Sequence, residues 1–212
     1  MQFLTDDIKF PEVTTATKDG LLAIGGDLSP ERLVNAYKRG IFPWYSANEP
    51  ILWWSPDPRC VLFPEELHIS KSMRQLLKKN SFKVTYNQAF EEVMQACASQ
   101  KRKDQESTWI TLEMIEAYKK LHELGYAKSV EVWQDDDLVG GLYGIDVRNG
   151  VFAGESMFSK VSNASKVAFI SFVQASDYKL IDCQIYTDHL GSLGAKEIDR
   201  LSFIKLLNPE LV

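Results

Sequence analysis

Three strand-like runs joined by tight turns constrain this chain more than any other feature. Residues 128–134, 138–145 and 151–155 read as strands, with Asp135-Asp136-Asp137 as the first turn and Arg148-Asn149-Gly150 as the second. Connections that short place neighbours antiparallel, so the three runs form a meander. A helix is predicted over about residues 163–176 and a further strand over 180–186. Strands, a helix and a returning strand specify an α+β sheet.

The chain ahead of the meander has helical signals. Ser29 caps a helix with Pro30 in its first position and Gly40 at its end. Ser70 caps a basic helix to Lys79, residues 82–86 read as a strand, and Asn87 caps a helix with Phe90, Val93, Met94 and Cys97 on one face. Thr111 caps another, which Gly125 ends. The first stretch has its own texture: Gly20, Gly25, Gly26 and Gly40 among Pro30, Pro43, Pro50, Pro56 and Pro58, with Phe42, Trp44, Tyr45, Trp53 and Trp54 between them. Residues 1–62 are therefore expected to form a small Gly/Pro/aromatic-rich N-terminal domain, and residues 63–212 the α+β domain.

Charge matters by segment. The net charge is −5, which taken whole argues against a polyanionic partner. Residues 1–60 carry −2, residues 61–103 carry +4 and the remainder −7. From His68 to Lys103 eight basic residues face only Glu91 and Glu92, and Lys71, Arg74 and Lys78 recur at helical spacing. Such a strip is either a solvated helix face or a polyanion-binding one.

Three scattered cysteines (Cys60, Cys97, Cys183) and three histidines (His68, His122, His189) have no metal-ligand or disulfide spacing. The start of the chain is acidic and no run approaches the roughly 20 apolar residues of a membrane span. A reducing, cytoplasmic setting is expected, with no membrane and no metal.

Chemistry concentrates in two strands. In Ile181-Asp182-Cys183-Gln184-Ile185 strand alternation puts Asp182 and Gln184 on one face. An acid and an amide side by side are either solvated, satisfied by buried partners, or functional. In Gly154-Glu155-Ser156-Met157-Phe158-Ser159 a carboxylate closes a strand. Gly140, Gly141 and Gly144 thin the strand before it, as at a bulge or a close backbone approach. Phosphate-loop, dinucleotide and nucleophile-elbow motifs are absent. The nearest approach to a coenzyme A pyrophosphate turn, Gly191-Ser192-Leu193-Gly194-Ala195, lacks the leading base.

Several segments then resemble one family in order and spacing: residues 20–30, Arg39-Gly40-Ile41-Phe42-Pro43-Trp44, Leu52-Trp53-Trp54-Ser55-Pro56-Asp57-Pro58-Arg59, Thr108-Trp109-Ile110-Thr111, residues 154–159, Asn163-Ala164-Ser165-Lys166, Leu180-Ile181-Asp182-Cys183-Gln184 and Ser192-Leu193-Gly194-Ala195. They are similar to the leucyl/phenylalanyl-tRNA–protein transferases, from about Gly20 to Phe203. Lys128 stands where members usually have His, and Leu142 where some have Met.

The resemblance implies a GNAT-like (acyl-CoA N-acyltransferase-like) mixed-sheet domain behind the small N-terminal one. It implies transfer of Leu or Phe, less readily Met, from aminoacyl-tRNA to proteins or peptides with N-terminal Arg or Lys, which marks them for the N-degron pathway. No cofactor is implied. Asp182 and Gln184 would be catalytic. Trp44, Trp109, Leu142, Glu155, Met157 and Phe172 would form the aminoacyl-adenosine pocket. Lys71, Arg74, Lys78, Lys79 and Lys83 are the residues expected to hold tRNA phosphates. An acyl-CoA-dependent N-acyltransferase and a non-catalytic tRNA- or peptide-binding module are the alternatives.

Overall fold

The computed structural model describes residues 2–100 and 110–211. Among them the chain builds two sheets. The N-terminal one has four strands in the order β1 (Gln2–Leu4), β2 (Leu21–Gly25), β4 (Leu52–Trp54), β3 (Phe42–Pro43). Helix α1 (Pro30–Lys38) links β2 to β3, and the Ser29 hydroxyl accepts from the Arg32 backbone N–H as the cap requires.

The second sheet has seven strands, β5 (Arg59–Leu62), β6 (Lys83–Tyr86), β7 (Ala127–Gln134), β8 (Asp137–Asp146), β9 (Val151–Ser159), β10 (Leu180–Gln184) and β11 (Lys196–Ile198). Their spatial order is β11-β5-β10-β9-β8-β7-β6. β7, β8 and β9 are the expected meander. Helix α5 (Ala164–Ala175) carries the chain back so that β10 lies parallel to β9. Meander, crossover helix and parallel return strand make the mixed α+β sheet expected of a GNAT-like domain. β5 pairs with both β10 and β11, so the boundary expected at residue 62 falls after a strand of the large sheet.

Each face of the large sheet is covered. On one, α3 (Phe90–Ala98), α4 (Leu112–Glu123) and the N-terminal sheet share a continuous apolar cluster that also takes in Phe203, Ile204 and Leu207 of α7 (Arg200–Leu207). On the other, α5 and Met73 of α2 (Lys71–Lys78) pack with Leu142, Phe152, Ile181 and Cys183. A last short helix, α6 (Asp188–Gly191), follows β10.

Three local expectations are corrected. Asn87 does not cap α3: its side chain accepts from the Ser129 backbone N–H at 3.0 Å, which ties β6 to β7, and Ala89 takes the cap position. The strand predicted to close at Glu155 runs on to Ser159, and the one predicted to reach Tyr186 stops at Gln184. At the glycines of β8 the expected bulge is present, at Gly144, and the close approaches there are made by the protein's own atoms. A Cβ on Gly140 would meet Ala164 at 2.5 Å, one on Gly141 the Val130 carbonyl oxygen at 2.6 Å, and one on Gly144 the Ala153 carbonyl oxygen at 2.2 Å. Among the described residues no helix is long and apolar enough to cross a membrane.

Candidate active site

The large sheet opens between its two parallel strands. β9 and β10 pair only through Val151–Leu180, Phe152–Ile181 and Ala153–Asp182. Beyond them β9 runs on without this neighbour, and the gap is a cavity of about 570 Å³. Its wall brings together Trp44, Leu142, Glu155, Met157, Phe172 and Gln184. The lining is mostly apolar, including Phe152 and Phe169, with a few polar groups, as is usual for small-molecule sites. Trp109 lies outside the described residues.

Two bulges stand at the mouth of the split. On β9, Tyr143 pairs with Ser156 and Gly144 with Gly154, so Glu155 is an extra residue. On β10, Val61 pairs with Asp182 and Cys60 with Gln184, so Cys183 is extra. A bulge re-aims the side chains beside it. Gln184 also takes a left-handed φ of 61°. The alternation expected for Asp182 and Gln184 is therefore broken. Gln184 lines the cavity, whereas Asp182 is absent from its wall and almost fully buried.

What fills the space around Asp182 is Arg59. Its Nε donates to Asp182 Oδ1 and its Nη2 to Oδ2, each at 2.7 Å, with the two side chains only 2% and 4% exposed. The guanidinium stacks over Phe42 at 4.8 Å and Phe203 at 4.7 Å. Asp182 Oδ1 further accepts from the Gln184 backbone N–H at 3.0 Å. Removing one partner of a buried pair costs about 3–5 kcal/mol, because the other charge is stranded.

Glu155 has different company. Gln184 Nε2 donates to its Oε1 at 2.7 Å, and the Tyr118 hydroxyl donates to its Oε2 at 3.1 Å. The Tyr118 hydroxyl is in turn hydrogen-bonded to that of Tyr37. One polar chain thus runs from α1 through α4 and β9 to β10. Burial pushes the Glu155 carboxyl up to about 7, against hydrogen bonds from Tyr37, Tyr118 and Gln184 that favour the anion. Both tyrosine hydroxyls are raised well above their ordinary value, first by burial and then by the Glu155 charge, so they remain donors. With the Gln184 amide nitrogen engaged by Glu155, its carbonyl oxygen is left to accept.

Other cavity groups are chemically quiet. A hydrogen bond with Cys60, then burial, raises the Cys183 thiol well above its ordinary value, so it is no nucleophile at neutral pH. Burial, helped by the Lys166 charge, lowers the His189 imidazole, which keeps it neutral. No group of three His, Cys, Asp or Glu side chains that could hold a metal occurs among the described residues.

Sequence reasoning missed Arg59, Phe42, Tyr37 and Tyr118. Arg59 closes the Trp-Trp-Ser-Pro-Asp-Pro-Arg run, but its partner is 123 residues away. The two tyrosines sit in apolar helix stripes, where a hydroxyl leaves no pattern. Away from the cavity, Lys71, Arg74 and Lys78 are exposed along α2, with Lys79 at its end and Lys83 at the start of β6. Lys101, Arg102 and Lys103 lie outside the described residues.

Comparison with known proteins agrees across the whole chain. The family described as leucyl/phenylalanyl-tRNA protein transferase matches residues 61–208, and its N-terminal domain matches residues 26–57. A relative from Flavobacterium psychrophilum, named leucyl/phenylalanyl-tRNA–protein transferase, is 61% identical over 98% of this chain and 99% of its own length. One of the same name from Escherichia coli is 52% identical over 98% of this chain and 89% of its own. A solved GCN5-related N-acetyltransferase from Kribbella flavida is similar only distantly, at 10% identity and a TM-score of 0.38, over 76% of this chain and 58% of its own. Two matched regions in the same order, and relatives this similar over nearly their full length, leave one assignment: the chain belongs to the leucyl/phenylalanyl-tRNA protein transferase family.

Proposed function

We infer that this enzyme transfers Leu or Phe, and less readily Met, from aminoacyl-tRNA to the N-terminal Arg or Lys of proteins and peptides, marking them for N-degron degradation in the cytoplasm. The single observation that carries the reading is the cavity at the split of β9 and β10, which pairs an apolar wall with Gln184 and Glu155. Trp44, Leu142, Met157 and Phe172 supply an apolar surface for an aminoacyl side chain.

The chemistry asks little of the protein. An aminoacyl ester is already activated, and its aminolysis needs neither metal nor cofactor. The acceptor amine attacks the ester carbonyl, the new C–N bond forms, and the C–O bond to the ribose breaks. The proton lost by the amine balances the ribose hydroxyl that leaves. A protein α-amino group has a pKa near 7.7–8.0, so a useful fraction is neutral at pH 7. Positioning then supplies much of the rate, worth up to roughly 7–11 kcal/mol in well-oriented reactions. Gln184 is not basic. Its carbonyl oxygen accepts a hydrogen bond from the attacking amine and aims the lone pair, while Glu155 fixes the amide end. Lys71, Arg74, Lys78, Lys79 and Lys83 take acceptor-stem phosphates without reading sequence.

The test is transfer of radiolabelled Leu or Phe from charged tRNA to an Arg-initiated peptide. Label is expected on the peptide. Label that stays on the tRNA, or moves equally well to an Asp-initiated peptide, overturns the reading.

A further inference from the structure

We propose that Arg59 is a positioning residue for the transfer reaction, acting through Asp182 on Gln184; this rests on the function inferred above. Both Asp182 oxygens are engaged away from the cavity wall. Oδ2 takes Arg59 Nη2, and Oδ1 takes both Arg59 Nε and the Gln184 backbone N–H. Asp182 is therefore a bracket, tied on one side to Arg59 and on the other to the Gln184 backbone. What it brackets is a non-glycine residue at φ 61°, a conformation that persists only where the surroundings over-determine it. Gln184 is also the last residue of β10, paired with Cys60 just past the register shift at Cys183, so the ladder holds its backbone from one side and ends there.

Arg59 is suited to fix that bracket. A bidentate guanidinium sets both the position and the plane of a carboxylate, which a lysine ammonium does not. Its own plane is set by Phe42 from β3 and Phe203 from α7. Four separate chain segments thus converge on one turn, and the product of that convergence is the direction of the Gln184 carboxamide. Phe42 also lines the cavity, so the clamp and the substrate site share a wall.

The experiment measures kcat and KM for Phe transfer to an Arg-initiated peptide in R59K, Q184A and the double variant, each corrected for the folded fraction. R59K keeps the buried charge but loses the fork. Its kcat is expected to fall by about 10–100-fold, with KM for aminoacyl-tRNA within about twofold, as displacements near 1 Å do. In the Q184A background the same change should alter kcat by less than about twofold, since residues acting as one unit are not additive. A folded R59K with wild-type kcat, or a multiplicative double variant, overturns the proposal. Should R59K fail to fold, F203L removes one ring and leaves the ion pair. It is expected to lose kcat several-fold, again only while Gln184 is present, and an unchanged kcat overturns the proposal equally. Absence of transfer by the wild-type protein would overturn the function itself, which is a different result from an active wild type with an indifferent Arg59.

Discussion

Glu155 is the residue whose surroundings say most about pH. Its ordinary value is 4.5, and burial carries it to about 7 in the folded protein. Below pH 4.5 both states hold the proton. Between 4.5 and 7 the unfolded chain releases it while the folded one keeps it, so this residue's stabilising contribution is lost as pH rises and levels off above 7. E155Q, neutral at every pH, removes that dependence. Relative to E155Q, the wild type should lose about 3 kcal/mol of unfolding free energy across this window. Denaturant titrations of both proteins at pH 4.5, 6 and 8 check it, and a constant difference would show that Glu155 is not held protonated. Asp182, Gln184 and Glu155 were legible in the sequence because polar groups in otherwise apolar strands need a reason. Their division of labour was not. Alternation assumes a regular ladder, and each of the three lies within one residue of a bulge.

The elements followed the sequence where their signals are local. Ser29, Ser70 and Thr111 each accept the backbone N–H expected of a cap, because capping involves residues three apart. α2 is an example with a functional side. Met73 faces the core while Lys71, Arg74 and Lys78 stay in solvent. If that face carries tRNA phosphates, replacing all three by Ala should weaken aminoacyl-tRNA binding. It should also reduce the slope of log K against log salt by about 3. Binding measured from 50 to 300 mM salt decides the matter, and an unchanged slope assigns the face to solvation alone. What no local signal revealed is where β9 and β10 stop pairing. That depends on Glu155 being supernumerary against its hairpin neighbour β8 and on Cys183 being supernumerary against β5, a strand from a distant part of the chain.

At the scale of the whole molecule, the net charge of −5 concealed a basic middle between acidic ends. Texture suggested an N-terminal unit, but its core is not private. Leu33, Tyr37 and Trp53 belong to the same cluster as Val93, Tyr118 and Phe203. Gly40 sits at that junction with a φ of 72°, and a Cβ there would meet Ile204 at 2.6 Å and Phe203 at 2.8 Å. G40A should therefore destabilise the protein by about 1–3 kcal/mol. The loss should appear equally in tryptophan fluorescence, to which Trp53 and Trp54 of the small sheet contribute alongside Trp133 of β7, and in far-ultraviolet circular dichroism. Two separated transitions would mean that the units unfold independently. Sequence texture cannot anticipate a shared core, since apolar residues carry no label for their partners.

The hydroxyl chain from Tyr37 to Glu155 bears on how such a protein can be recombined. Tyr37 belongs to α1, Tyr118 to α4 and Glu155 to β9, so the acid beside Gln184 owes one of its neighbours to the small N-terminal half. A chimera that joined this large sheet to a foreign N-terminal half would fold around an incomplete site unless the graft brought a tyrosine to the same spot. The crossover point for a working hybrid is set by that phenol, not by the proline-rich stretch where the chain looks easiest to cut.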